Sequence, residues 1–123
     1  MAKSNHLQNS NGKIFFIEIP AVDVILSATF YKKVFGWQIR ERSDGRIVFE
    51  DSVNEISGTW VLGRPVTIET GVLIYILVKN LPATVRAIAV NGGKIIQPAI
   101  EDPLTARFAD PAGNVFGLTQ EPE

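Results

Sequence analysis

Residues 15–37, FFIEIPAVDVILSATFYKKVFGW, decide the fold, because the chain repeats their pattern once. When the sequence is slid against itself by 57 residues without a gap, residues 15–39 lie over residues 72–96. The identical pairs include Ile17 with Ile74, Ile19 with Ile76, Gly36 with Gly93 and Ile39 with Ile96. The two copies agree more closely in their pattern of apolar and turn residues than in residue identity, which indicates two equal half-modules.

The first copy predicts one strand, one helix and three more strands. Period-2 alternation over residues 14–19 predicts a strand with Phe16 and Glu18 on the same face. Asp23 suits the N-cap of the helix that follows, and Gly36 suits its left-handed C-cap. Three further strands are expected at residues 37–42, 46–50 and 56–62.

The second copy predicts the same order of elements. Asn80 suits a helix N-cap, and Pro82 falls in the first helical turn, where its missing N–H is harmless. The four strands of this copy are expected at residues 72–78, 94–97, 106–109 and 115–119.

The sequence therefore predicts an α+β fold made of two tandem βαβββ modules within one domain. The domain is expected to cover residues 14–120, with module one at residues 14–62 and module two at residues 72–119. Residues 1–13 are polar and are expected to form a flexible tail.

Composition narrows the range of partners. Twelve basic and thirteen acidic residues give a net charge of -1, and no basic block is present, so nucleic acid is not expected as a partner. The longest apolar runs, such as residues 72–78, are far shorter than the ~20 residues of a membrane span, so no membrane association is expected. The chain has no cysteine, which suits a reducing compartment and predicts a cytoplasmic protein.

Each helix can cover only one face of its sheet, so the other face needs a different role. Alternation assigns the helix-facing positions to Ile17, Ile19, Ile74 and Ile76. If the two sheets curl toward each other, their second faces form an incomplete barrel around a central cleft that suits a small molecule. The expected lining of this cleft is Phe16, Glu18, Leu73, Tyr75 and Leu77.

Three segments resemble the vicinal oxygen chelate superfamily of glyoxalases, bleomycin-resistance proteins and extradiol dioxygenases. They are FFIEIPAVD with ATFYKKVFGW, the second-module opening at residues 72–96, and FADPAGNVFGL at residues 108–118. The resemblance implies two βαβββ modules side by side, a funnel between their sheets and frequent homodimers. It also implies, in many enzymes, a divalent metal held by four inward side chains.

The metal-ligand positions that the resemblance implies carry no strong donors in this sequence. They fall on Phe16 in the first strand, Leu73 in its second-module counterpart and Gly117 in the last strand. The best match for the fourth offers only the hydroxyl of Ser57 or Thr59. Phenylalanine, leucine and glycine have no side-chain lone pair for a cation, so no metal or other cofactor is expected. The sequence is most similar to a metal-free, glyoxalase-like branch of the superfamily.

Glu18 and Tyr75 are the candidate catalytic residues. Glu18 is expected to point into the cleft, where burial suits a carboxyl group to acid or base chemistry. Tyr75 occupies the equivalent place in module two and offers a hydroxyl to a bound carbonyl. A structural ion pair between Glu18 and Arg40, Arg42 or Arg107 is an equally weighted alternative.

Phe16, Trp60 and Gly117 complete the expected ligand-binding set. Trp60 either stacks on a planar ligand or lies in a dimer interface, and Phe16 either lines or plugs the cleft. The leading interpretation is a metal-independent homodimer that binds a small, partly apolar organic molecule. The alternative is a metal-independent lyase or isomerase that uses Glu18 as acid or base. A third interpretation is a partner-binding protein whose cleft is closed by Phe16 and Trp60.

Overall fold

The computed structural model describes residues 11–67, 71–101 and 104–120. Most of the expected tail, residues 1–13, lies outside the described residues, and Asn11 and Gly12 form a turn before the first strand. In these three ranges, no helix is both long and apolar enough to cross a membrane.

Each half of the chain folds as βαβββ, as the repeat predicts. The first module contains β1 (Phe16–Ala21), α1 (Val24–Phe35), β2 (Gln38–Glu41), β3 (Ile47–Glu50) and β4 (Ser57–Leu62). The second module contains β5 (Tyr75–Val78), α2 (Leu81–Val90), β6 (Lys94–Ile100), β7 (Thr105–Ala109) and β8 (Val115–Gln120).

The two modules have the same sheet topology. The strand order is β1-β4-β3-β2 in the first sheet and β5-β8-β7-β6 in the second. The first and last strands of each module pair in parallel, and the remaining pairs are antiparallel. The α+β prediction with two tandem modules is therefore confirmed. The sheets stay separate and unclosed, so β1 and β5 each lie at a sheet edge.

The helix boundaries follow the predicted caps. Asp23 accepts a hydrogen bond from the backbone N–H of Leu26 at 3.1 Å, and Asn80 accepts one from Ala83 at 2.9 Å. Gly36 ends α1 with a φ of 73°, in the left-handed region where glycine carries no Cβ penalty. The caps and the two helices are confirmed.

Three strands differ from the sequence-based expectation by two residues or more. β1 covers Phe16–Ala21 instead of residues 14–19. β5 begins at Tyr75 instead of residue 72, and the ladder beside it starts with the Gly117 N–H donating to the Ile74 carbonyl at 2.8 Å. β6 continues to Ile100 instead of ending at residue 97, although it contains Pro98. Proline is tolerated there because β6 is an edge strand and its pairing with β7 has register shifts.

One hydrophobic core serves both modules. Ile19 is buried in it, Ile17 and Ile76 pack against it, and Ile74 is partly exposed at its edge. From α1, the Phe30 ring lies 6.0 Å from the Phe108 ring of the second sheet. The first helix thus packs on both modules. The inward orientation predicted for Ile17, Ile19 and Ile76 is confirmed, whereas Ile74 lies outside the core.

Candidate functional site

A cavity of about 230 Å³ lies between the two modules and is lined by residues of both edge strands, β1 and β5. Its walls are mainly apolar because they include the sheet faces that turn toward the helices. The isoleucines of the sequence repeat supply much of the wall, Tyr75 adds a phenol, and aromatic rings complete it. The main apolar lining residues are Ile17, Ile19, Ile74, Ile76, Phe49 and Phe116.

The loop between β3 and β4 contributes Asp51 to the wall of this cavity. The Asp51 Oδ1 accepts hydrogen bonds from the backbone N–H groups of Glu55 at 2.7 Å and Ile56 at 3.3 Å. Asn54 has a φ of 61°, a left-handed conformation that asparagine adopts more readily than most residues. The turn therefore fixes the orientation of the Asp51 side chain, and the half-buried residue forms part of the cavity wall.

A second cavity, of about 200 Å³, adjoins the first. The two share Ile17, Ile19, Ile74 and Phe116 as lining residues, so they lie next to each other along the inter-module contact. Glu18 lines the second cavity.

A buried hydrogen-bond network lies beside these cavities and joins the modules. The Tyr31 hydroxyl donates to Asp110 Oδ2 at 2.8 Å, and Asn114 Nδ2 donates to the Pro20 carbonyl at 2.7 Å. The Asp110 Oδ1 also accepts three backbone N–H groups of its own turn. Burial, with the nearby Asp110 carboxylate, raises the pKa of Tyr31 well above its usual value. We call Tyr31, Asp110, Asn114 and Pro20 the inter-module network.

The structure divides the predicted lining of the cleft among separate cavities. Phe16 lies in an open groove of about 440 Å³ on the outer face of the first sheet, beside Arg40 and Arg42. Tyr75 and Leu77 instead line the cavity between the modules. Phe16 and Tyr75 therefore line different cavities, although both were assigned to the second faces of their sheets.

The predicted partners and burial of Glu18 are also wrong. Its Oε1 lies 2.7 Å from the guanidinium of Arg64, whereas Arg40 pairs with Glu50 at 3.1 Å. The side chains of Glu18 and Arg64 are 43% and 49% exposed. Arg64 follows β4, which pairs in parallel with β1, so the end of β4 brings it to Glu18 across the sheet edge.

Trp60 lies in the hydrophobic core and does not line either cavity between the modules. It is 4% exposed, and its ring centroid lies 4.8 Å from Phe49 and 5.8 Å from Tyr31. Trp60 pairs with Ile19 in the β1–β4 ladder, so both side chains lie on the helix-facing side of the sheet. Trp60 is therefore a core residue. The prediction that Trp60 and Phe16 close a cleft together is wrong for the same reason.

The residues at the implied metal positions do not fit a metal ion. Phe16 and Leu73 have no donor atom, and Gly117 has no side chain. The Tyr75 ring covers Gly117 so closely that an added Cβ would lie 2.6 Å from two ring carbons. Across the described ranges, no group of three or more His, Cys, Asp or Glu residues is placed to hold a metal.

Sequence reasoning missed Asp51, Phe49 and Phe116 as lining residues of the cavity. Phe49 and Phe116 look like ordinary strand residues, and Asp51 lies in a polar loop. The repeat of Ile17 and Ile19 by Ile74 and Ile76 is the sequence signal for this site, but the pattern alone assigns these residues to a filled core. Tyr75 and Leu77 were predicted to bind ligand and do line the cavity.

Comparison with known proteins agrees with this architecture. The family model of the Glyoxalase/Bleomycin resistance protein/Dioxygenase superfamily matches residues 13–118. The chain therefore belongs to this superfamily, and the resemblance drawn from the three sequence segments is confirmed.

Individual relatives are similar over nearly the whole chain. A glyoxylase-like domain-containing protein of Didymella fabae is 32% identical, with 91% of this chain and 96% of that protein covered. The structure of hypothetical protein SA1046 from S. aureus has a TM-score of 0.74 at 18% identity, covering 94% of this chain and 98% of that chain. A glyoxalase/bleomycin resistance protein/dioxygenase family enzyme from Burkholderia phytofirmans PsJN has a TM-score of 0.69 at 20% identity, covering 85% and 95%. The two structures share the fold.

Proposed function

We propose that the protein binds a small, partly apolar organic molecule, without a metal ion, in the cavity between its two modules. The observation that carries this proposal is about 230 Å³ of space walled by isoleucine and aromatic side chains, with Tyr75 and Asp51 as polar groups. Small-molecule sites are typically concave and mostly apolar, with a few polar groups that orient the ligand.

The cavity volume limits the size of the ligand. An apolar cavity of roughly 150 Å³ is large enough for benzene, and sites for drug-sized molecules begin near ~300 Å³. The first cavity therefore fits one ring with a short chain, or two fused rings. The adjoining space of about 200 Å³ accommodates a longer substituent.

The side chains at the implied ligand positions support binding without a metal. Phe16, Leu73 and Gly117 offer no donor, and a hydroxyl of Ser57 or Thr59 alone is a poor ligand set for a divalent cation. Thr59 in addition donates its hydroxyl hydrogen to the Ile47 carbonyl at 2.6 Å.

The alternative, a metal-independent lyase or isomerase with Glu18 as acid or base, receives less support from the geometry. Tyr75 lines the first cavity and Glu18 the second, and the Glu18 carboxylate is held by Arg64. An acid or base has to come within hydrogen-bond reach of the proton that it moves. Replacement Glu18→Gln separates the two functions: a binding protein keeps its ligand affinity, whereas an enzyme of this type loses turnover.

We also propose that the protein is a homodimer. Large apolar side chains are exposed on or beside the edge strands, with Phe15 71% exposed and Leu77 61% exposed. Edge strands with exposed apolar side chains favour pairing with another chain. Light scattering coupled to size exclusion is expected to give twice the chain mass, and a monomer at micromolar concentration would contradict the proposal. The cytoplasmic location stays a prediction.

A neutral probe of suitable size tests the binding function directly. We expect 3-phenylpropan-1-ol to bind the protein saturably with one-to-one stoichiometry in isothermal titration calorimetry. Ile74→Trp places an indole in the space shared by both cavities and is expected to weaken binding at least tenfold. Treatment with EDTA is expected to leave the affinity unchanged.

The matched control is Ile100→Trp, which makes the same change at an exposed position of β6 outside both cavities. Its affinity is expected to stay within twofold of the wild type. Equal affinities for Ile74→Trp and the wild type, or no saturable binding at all, would overturn the proposed function.

A further inference from the structure

We infer that the cavity between the modules selects organic cations, that is, amines carried on an aromatic or alkyl body, over neutral and anionic molecules of the same shape. The inference rests on the proposed function and adds the charge of the ligand to it.

The charged residues of the first cavity carry this inference. Within the described part of the chain, its lining includes one charged side chain, Asp51, and no lysine, arginine or histidine. The remaining lining residues are apolar or aromatic, apart from Ser52 and the Tyr75 phenol. A charged group that enters this space therefore meets one fixed negative charge.

The Asp51 carboxylate is well placed to receive a ligand cation. Its Oδ1 is anchored by the backbone N–H groups of Glu55 and Ile56, and its own N–H donates to the Ile56 carbonyl at 3.0 Å. In the described ranges, the ion pairs are Arg40 with Glu50 and Arg64 with Glu18, so none involves Asp51. Its charge is thus oriented by the loop but not neutralised by an ion pair with a basic residue of the described ranges.

Two basic residues, Arg64 and Lys79, lie near the first cavity. Arg64 already pairs with Glu18 beside the second cavity, so this pair adds little net charge. Lys79 lines a separate groove of about 480 Å³ that shares Ser52, Val53 and Leu77 with the first cavity. Lys79 is exposed, and solvent and salt screen its charge from the cavity interior.

The physical chemistry of the walls favours an ammonium group. Moving an amine cation from water into an apolar cavity is costly unless a carboxylate pairs with it. Aromatic faces add a second attraction, because ring quadrupoles attract cations. The rings of Trp37, Phe49, Tyr75 and Phe116 line the same cavity. A carboxylate ligand would lose its hydration and be repelled by Asp51, so the expected order of affinity is amine, alcohol, carboxylate.

Three probes of similar shape and different charge test this order. They are 3-phenylpropylamine, 3-phenylpropan-1-ol and 3-phenylpropanoate, each titrated calorimetrically into the wild-type protein at pH 7 and low salt. The amine is expected to bind at least tenfold more tightly than the alcohol, and the propanoate more weakly than the alcohol.

The variant Asp51→Asn identifies the charge responsible. Asparagine keeps an Oδ1 that can accept the two backbone N–H groups, so the loop is expected to stay in place while the charge is lost. Amine affinity is expected to fall at least fivefold and alcohol affinity to change less than twofold. The matched control is Glu55→Gln, which removes a carboxylate from an exposed side chain of the same loop outside the cavity. Its three affinities are expected to stay within twofold of the wild type.

The outcomes separate this inference from the proposed function. If the alcohol binds and the amine binds equally tightly or more weakly, the charge selectivity is overturned but the proposed function is not. An amine affinity unchanged in a folded Asp51→Asn protein also overturns it. Absence of binding for all three probes overturns both. The comparison of amine and alcohol on the wild type needs no variant, so the selectivity stays testable if Asp51→Asn fails to fold.

Discussion

The contact between the two modules has two regions that are built in opposite ways. In the inter-module network, Tyr31, Asp110 and Asn114 are joined by hydrogen bonds of 2.8–2.9 Å and are buried. In the adjacent cavity, apolar side chains leave about 230 Å³ unfilled between edge strands of separate sheets. The difference indicates that buried hydrogen bonds and the shared core position the modules, and that space remains between the edge strands, where the side chains do not pack closely.

Among the variants of these two regions, Asp110→Ala is expected to have the largest effect on stability. The substitution removes the acceptor of the Tyr31 hydroxyl and of three backbone N–H groups, leaving buried donors without a partner. We expect the free energy of unfolding, measured by urea denaturation, to fall by about 3–5 kcal/mol. Glu101→Ala, at an exposed position, serves as the control. A loss under ~1 kcal/mol would show that the network does not hold the modules together.

A smaller loss is expected for Tyr31→Phe. The ring and its stacking on Trp37, with centroids 4.5 Å apart, are retained, and only the hydroxyl that donates to Asp110 is lost. A hydrogen bond to a charged group contributes roughly 1.5–3 kcal/mol, so a fall of about 2 kcal/mol in the free energy of unfolding is expected. A variant as stable as the wild type would remove Tyr31 from the network.

The same hydroxyl predicts a pH dependence. Burial raises the pKa of Tyr31 in the folded protein, whereas tyrosine titrates near ~10 in an unfolded chain. The corresponding stability is therefore fully present below pH ~10 and is lost as the pH rises from there toward the raised folded-state pKa. Between pH 9 and 11, the wild type is expected to lose stability more steeply than Tyr31→Phe. Parallel curves would contradict this assignment.

The smallest effect is expected for Phe116→Leu, which touches both regions. The Phe116 ring lies 6.0 Å from the Tyr31 ring and also lines both cavities. Leucine is a smaller apolar side chain, and its placement beside an existing cavity is expected to lower the free energy of unfolding by about 1 kcal/mol. At the same time it widens the cavity, so binding of a naphthalene-sized alcohol is expected to improve relative to 3-phenylpropan-1-ol. An unchanged affinity ratio would mean that Phe116 does not limit the site.

The fold could be predicted almost completely from the sequence, because its signals are local. Asp23, Gly36 and Asn80 satisfy the cap requirements of the two helices, and the observed caps match. Ile17 and Ile19 recur 57 residues later as Ile74 and Ile76, and this repeat is enough to predict two modules of the same plan. The errors concern strand ends, as in β6, where an edge position tolerates a proline that usually ends a strand.

The site was predicted less well because it depends on how the modules meet. Alternation identifies the two faces of a strand but does not say which pair of faces comes together. The partner of Glu18 illustrates this: Arg64 lies after β4, outside any strand pattern, whereas the three predicted partners fall within strands predicted from the sequence. Trp60 illustrates it again, since only the register with Ile19 assigns it to the buried side.

The most direct test of the central claim is methyl NMR of the protein labelled at isoleucine δ1 positions and titrated with 3-phenylpropan-1-ol. The isoleucines that line the cavity are Ile17, Ile19, Ile56, Ile74 and Ile76, whereas Ile14, Ile25 and Ile100 are exposed outside it. If the ligand binds between the modules, the largest saturable shifts occur at the methyl groups of the first five. Saturable shifts confined to the exposed isoleucines, or no saturable shift, would contradict the claim.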